Sequence, residues 1–188
     1  MHKSFIYSLK ISTFIFLIIF FSSCENNIQE VQDFLADKNL PVGVAKNINL
    51  IHTDSGRIKT RLITPLLHDY TNRELHPYQE FPTGIQIINF EKNGDSITLI
   101  ADYGRSFTKT AISEVKGNVV IINHKDRSRL YTDQLYWDQN THYIYTDSDF
   151  TLYKNKDTIK GRGFESNEDL TKWNARDISG TVYVNEND

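Results

Sequence analysis

The sequence predicts an all-β domain, a sandwich, jelly roll or barrel of about a dozen short strands, and three observations lead there. Segments of five to eight residues rich in β-branched and aromatic side chains recur along the chain, each bounded by Asp, Asn, Gly or Ser. Within them apolar and polar positions alternate, the period of a strand with one buried face. Beyond residue 40 no stretch has helical spacing, so the crossover helices of a parallel sheet are missing. The pattern is densest over residues 116–147. There, residues 117–122 open on Gly117 and close on Asn123-His124-Lys125-Asp126, residues 130–137 close on Asp138-Gln139-Asn140, and residues 142–146 close on Asp147-Ser148-Asp149.

The N-terminus is set apart from this domain. Lys3 and Lys10 precede an apolar run over residues 11–21 that ends in Phe21-Ser22-Ser23-Cys24. As a helix the stretch between Lys10 and Cys24 is about 20 Å long, against about 30 Å of bilayer hydrocarbon, so a secretory signal is the expectation. Cys24 is the only cysteine in the chain and has no partner for an intramolecular disulfide. With two small residues before it, it resembles the lipobox cysteine of bacterial lipoproteins, Phe21 standing where Leu is usual. That resemblance implies lipidation of Cys24 and a mature chain anchored to a membrane by acyl chains, facing the periplasm. The expected organisation is a signal over residues 1–23, a lipidated terminus and linker over 24–40, and one β-domain over 41–188, a length that suits a single domain. The formal charge of −3 becomes more negative by two when Lys3 and Lys10 are removed, which argues against electrostatic binding of nucleic acid.

Taken in order, residues 25–39 read as a polar linker with one or two weak helical turns, and Pro41 as the domain boundary. Residues 42–52 alternate up to a turn at Thr53-Asp54-Ser55-Gly56, and residues 57–63 alternate after it, with Gly56 supplying positive φ. Residues 64–83 hold Pro65, Pro77 and Pro82 and read as irregular, crossing an edge or covering one end of the sheet. A hairpin of residues 84–90 and 96–103 is expected around Asn93-Gly94-Asp95, then a strand at 108–115 before the dense stretch. Residues 150–153 and 158–164 pair around Asn155-Lys156-Asp157; residues 165–171 are turn-rich; final strands at 173–178 and 181–184 flank Ser179-Gly180. Gly-x-Val at Gly117 and Gly180, and Thr-Asp at residues 53, 132 and 146, recur as a weak repeat suggesting hairpins laid side by side.

The order Gly117-Asn118-Val119, Leu130-x-Thr132-Asp133-x-Leu135-x-Trp137-Asp138, Tyr145-Thr146-Asp147 and Ile159-Lys160-Gly161-Arg162-Gly163-Phe164 resembles the LptC family and related OstA-like domains of lipopolysaccharide export. Asp54-Ser55-Gly56-Arg57 and Leu99-Ile100-Ala101-Asp102 fit the same pattern, so the resemblance covers about residues 42 to 184. It implies a twisted, open β-jellyroll that accepts lipopolysaccharide from an inner-membrane ABC transporter, LptBFG, and passes it by edge-strand pairing to an LptA-like jellyroll towards the outer membrane. Family members as best known carry an uncleaved transmembrane helix where this chain has its lipobox; the anchor is expected in the inner membrane. The resemblance also places the family's hairpin glycine at Gly56 and a C-terminal structural or partner-contacting glycine at Gly163, either of which can equally be a plain turn or bulge.

Alternation picks the candidate lipid-lining rows: Ile97 and Leu99, with Ala101; Val119 and Ile121; Ile144, Phe150 and Leu152. In sequence, a row that lines a lipid groove and a row that fills a core look alike. An adaptor lipoprotein with a closed sandwich and no lipid ligand therefore stays open beside the transport reading. Enzyme chemistry finds little footing. The six histidines lack metal-ligand spacing, Asp147-Ser148-Asp149 lacks the glycine and distal Glu of a calcium loop, Gly161-Arg162-Gly163 is no dinucleotide loop, and no Ser lies in Gly-x-Ser-x-Gly. Asp133 and Asp138 could flank a glycosidic bond in a carbohydrate-active sandwich, but both sit among turn residues. No cofactor is expected.

Overall fold

The structure, a computed structural model, describes residues 39–181. The strands are β1 (Gly43–Asp54), β2 (Arg57–Tyr70), β3 (Tyr78–Phe81), β4 (Ile85–Phe90), β5 (Ser96–Ala101), β6 (Tyr103–Phe107), β7 (Ile112–Asn123), β8 (Arg129–Asp138), β9 (Tyr143–Lys154), β10 (Asp157–Asn167), β11 (Trp173–Ala175) and β12 (Ser179–Thr181). All twelve belong to one antiparallel sheet, and no helix occurs among the described residues. The all-β jellyroll expectation holds.

The sheet is a meander in which the long strands hairpin back on one another and the short ones lie end to end in pairs along a long neighbour. β3 and β4 follow one another along β2, and β6 and β5 lie end to end along β7. At the other edge β11 and β12 share β10. The β1–β2 turn has Ser55 at φ 51° and Gly56 at φ 76°, the pair of positive values that a tight primed turn requires.

A line of irregularities crosses every long strand near its middle. Asn47 (φ 54°) and Pro65 drop out of the β1–β2 pairing. Gly84 (φ 105°) separates β3 from β4, and Asp102 separates β5 from β6. β7 bulges at Gly117-Asn118, β8 slips between Thr132 and Tyr136, and β10 slips at Gly163. Side chains and backbone stitch the line together. Thr64 Oγ1 donates to Gly84 O at 2.8 Å, Asp102 N–H to Gly117 O at 2.9 Å, Asn118 Nδ2 to Asp102 Oδ2 at 2.6 Å, and Thr132 Oγ1 to Asp149 O at 2.9 Å. Bulges bend and twist a sheet locally; set in a row, they crease it. Two plates result, one carrying β4 and β5, the other β3 and β6, and their inward side chains meet: Trp137 of the second plate lines the same narrow gap as Ile87, Ile97 and Ile121 of the first.

This crease corrects several sequence expectations for one physical reason: a bulge uses the same Gly, Asn, Asp and Ser residues as a turn. Residues 64–70 are strand, because β2 passes through Pro65 at the point where it leaves β4 and has not yet met β3, so the missing N–H costs no ladder bond there. Gly117 does not open a strand; it bulges within β7, which starts at Ile112, while residues 108–111 form a turn. Asp147-Ser148-Asp149 ends nothing, since β9 runs through it to Lys154. Asp133 likewise lies inside β8. The span 96–103 is broken at Asp102, and β10 extends to Asn167 before the turns begin. Of the strand expected at 173–178, Trp173–Ala175 forms β11, and Ser179-Gly180 lies within β12 instead of separating strands. The signal, Cys24, the linker turns and residues 182–184 lie outside the described residues.

Between the plates, the β8–β10 side is filled. Val119, Leu130, Leu135, Phe150, Leu152 and Phe164 are buried there, and Phe150 and Phe164 meet at 5.0 Å. The loop after β10 seals this side. Its Leu170 is fully buried, Asn123 Nδ2 donates to Asp169 O at 2.7 Å, and Lys154 Nζ donates to Leu170 O at 2.7 Å.

Candidate functional site

The β2–β7 side of the folded sheet is not filled. An apolar groove of about 310 Å³ runs between the plates, walled by Leu62 on β2, Phe81 on β3, Ile85 and Ile87 on β4, Val115 on β7 and Trp137 on β8. Strand alternation turns each of these inward. The space exists because the facing positions on β6 and β7 are small: Gly104, Ser106 and Ser113. Their hydroxyls bond each other (Ser113 Oγ to Ser106 Oγ, 3.0 Å), and Gln139 Nε2 donates to Ser113 Oγ at 2.7 Å. These hydroxyls are thus satisfied; His52, Thr60, Gln79 and Arg105 also border the groove, whose surface is nevertheless mainly apolar.

The groove continues through a neck of about 20 Å³, lined by Ile87, Ile97, Leu99, Ile121, Trp137 and Ile144, into a wider mouth of about 580 Å³. The mouth lies between the plate ends farthest from the crease and is bordered by Lys59, Asn89, Glu91, Gln139, His142, Glu168 and Asp169. Trp137 lines all three parts. Its indole Nε1–H donates to Glu168 Oε1 at 2.6 Å, and His142 Nδ1 lies 2.9 Å from the same oxygen.

Strands β3 and β6 are also braced by charge, through a cluster whose Arg105 borders the groove. Burial pushes the Glu80 carboxyl upward, but hydrogen bonds from Tyr103 (2.6 Å) and Arg105 (3.1 Å) outweigh it and hold the group below the usual carboxylate range. Burial, then the bond to Glu80, pushes the Tyr103 phenol up to about 12. Arg105 lies over the Tyr78 ring at 4.8 Å. Such a brace stiffens the plate behind the groove.

The sequence-derived candidates divide among these parts. Ile97, Leu99, Ile121 and Ile144 line the neck. Val119, Phe150 and Leu152 belong to the packed side, and Leu152 is fully buried. Gly56 sits in the turn between β1 and β2 and is not itself a lining residue of the groove, whose nearest walls along the chain are His52 and Thr60. Gly163 (φ 79°) lies on the crease, where a Cβ would come within 2.6 Å of Arg176 Nε; Arg176 in turn pairs with Asp147. Leu62, Phe81, Ile85, Ile87, Val115 and Trp137 were not among the candidates. Alternation in residues 57–63 and 84–90 pointed inward at Leu62, Ile85 and Ile87, whereas Phe81 lay in a stretch read as irregular.

Other chemistry is placed too. Asp138 accepts backbone bonds from Asn140 (2.9 Å) and Thr141 (3.3 Å), which makes it a turn residue, while Asp133 belongs to the crease. Among the described residues no cluster of His, Cys, Asp or Glu is suited to hold a metal ion, and no helix is long and apolar enough to cross a membrane.

In comparisons with known proteins, the family model described as "Lipopolysaccharide-assembly, LptC-related" matches residues 12–174. No curated protein matches the chain.

Proposed function

Given that the chain belongs to the LptC-related family of lipopolysaccharide-assembly proteins, and so to a periplasm-facing transport component and not a known enzyme class, we propose that it is a relay. It accepts lipopolysaccharide from the inner-membrane ABC transporter LptBFG and hands it to an LptA-like jellyroll. The observation that carries this reading is the unfilled apolar groove between the plates. Acyl chains laid against Leu62, Phe81, Ile85 and Ile87 leave water at about 0.8 kcal/mol per methylene.

The edges suit hand-over by strand pairing. Among the described residues β1 pairs with β2 alone and exposes Val44, Leu50 and Ile51, an edge open to another strand. At the opposite edge β10 is covered only by the short β11 and β12. In this reading residues 1–23 are removed, lipidated Cys24 anchors the chain to the inner membrane, residues 24–40 give reach, and residues 41–188 form the relay domain. Gly56 and Gly163 hold the first turn and the crease in the shapes that the partners meet.

Depletion in cells tests the proposal: lipopolysaccharide is expected to be retained at the inner membrane. Normal delivery to the outer membrane in depleted cells would refute it.

A further inference from the structure

We propose that residues 25–38 form an amphipathic helix that docks on the outer face of the second plate, against Val44, Tyr70 and Tyr78. The segment itself lies outside the described residues, but the chain that follows it has the geometry of a helix end. Asn39 has φ 55°, the left-handed conformation in which helices commonly stop, with Asn the usual alternative to Gly. Pro41 comes two residues later, where a helix cannot continue. The Arg73 guanidinium stands at the same point: its Nη2 donates to Asn39 Oδ1 at 2.9 Å and to Leu40 O at 3.4 Å, and a cation there favours the carbonyl end of a helix. Upstream, Ile28, Val31 and Leu35 recur at helical spacing with Phe34 beside them, while Glu30, Asp33 and Asp37 fall on the opposite side.

The domain offers a matching surface where the chain enters it. Val42 N–H donates to Asp69 O at 2.7 Å, so the segment joins the domain beside the end of β2. Alternation puts Val44, His68 and Tyr70 on the face turned away from Leu67, which packs against the core. Tyr70 continues across the ladder to Tyr78 and Phe107 and stacks on Tyr78 at 4.8 Å. Leu40 and Val44, and Leu75 in the loop that joins Tyr70 to Tyr78, are 47%, 55% and 78% exposed. A helix of this length is marginal in water by itself, so its apolar stripe needs a surface. This one begins at Leu40, which makes the docking intramolecular. As a helix residues 25–38 are about 21 Å long; fully extended they reach about 50 Å. With the anchor proposed at Cys24, docking therefore sets the height and orientation at which the domain stands over its membrane.

Hydrogen exchange read by mass spectrometry tests the docking on the full chain, held in phosphatidylcholine nanodiscs. The amides of residues 29–38 are expected to exchange at least about tenfold more slowly than in Val31→Asp with Leu35→Asp, which spoils the stripe. Val44→Asp with Leu75→Asp changes only exposed positions of the domain and should remove the same protection, while exchange in β4, β5 and β7 stays as in the native protein. Fast exchange of residues 29–38 in the native chain overturns the helix. Protection that survives Val44→Asp with Leu75→Asp overturns the docking, since it assigns the stripe to the bilayer. Neither result bears on the groove, so the relay reading stands or falls separately.

Discussion

Phe81 and Phe150 are equally withdrawn from solvent, at 4% and 3% exposure, but they face different surroundings. Phe150 meets Phe164 in a filled interior; Phe81 borders a groove beside its ladder neighbour Gly104, on a plate whose inward row continues through the small Ser106 and Ser113. The two sides of the sheet are made of the same kind of strand and creased along the same line. What separates them is the volume of the facing row, together with the loop that brings Leu170 down over one side only. A jellyroll of this type is thus opened by small residues on one wall, with no strand removed.

If the β8–β10 side is a true core, cutting into it is costly. Leu152→Ala should destabilise the protein by about 3 kcal/mol, as fully buried leucines do, read from the urea midpoint; a loss below about 1 kcal/mol would mean that this side is also slack.

The crease that both sides share comes next. Gly163→Ala forces a Cβ onto a residue at φ 79° and against the Arg176 guanidinium. The flexible guanidinium can move, so the backbone conformation sets the penalty, about 1–2 kcal/mol, measurable as a lowered Tm.

The brace behind the open side is testable by pH. Unfolded, the Tyr103 phenol loses its proton near the ordinary 10.0; folded, it keeps it up to about 12. Its contribution is therefore complete below pH 10 and is lost as the pH rises towards 12. The urea midpoint should fall over that interval more steeply in the native protein than in Tyr103→Phe, and parallel curves would remove Tyr103 from the brace.

The smallest expected effect on stability is at the groove wall itself. Ser113→Leu fills open space but gives up the bonds to Ser106 and Gln139; the two effects should largely offset, leaving a change of about 1 kcal/mol, where overpacking a filled core costs about 1–3 kcal/mol, while binding of an alkyl-chain probe is abolished. A large loss of stability would show that no space is there.

Much of this fold was legible in the sequence. Alternation put Leu99, Val119, Ile121, Ile144, Phe150 and Leu152 on inward rows, and all are buried. The crease was not legible, because Gly117-Asn118 and Asp147-Ser148-Asp149 have the composition of hairpin turns, and only the pairing of neighbouring strands shows that the chain continues through them. Nor was the groove: whether an inward leucine lines a cavity or a core depends on which residues face it, and Gly104, Ser106 and Ser113 look unremarkable until β6 is seen beside β3 and across from β4. Trp137 was visible within the dense strand pattern, but its role at the junction depends on Glu168, 31 residues away.

The most direct test places one photo-crosslinking amino acid, p-benzoylphenylalanine, at Phe81 or at Phe150 in cells making lipopolysaccharide. Each is an aromatic-for-aromatic exchange at an equally buried site. A lipopolysaccharide adduct at Phe81 with none at Phe150 is the expected result; adducts at Phe150 alone, or at neither position in a folded protein, would contradict an acyl-chain groove on the β2–β7 side.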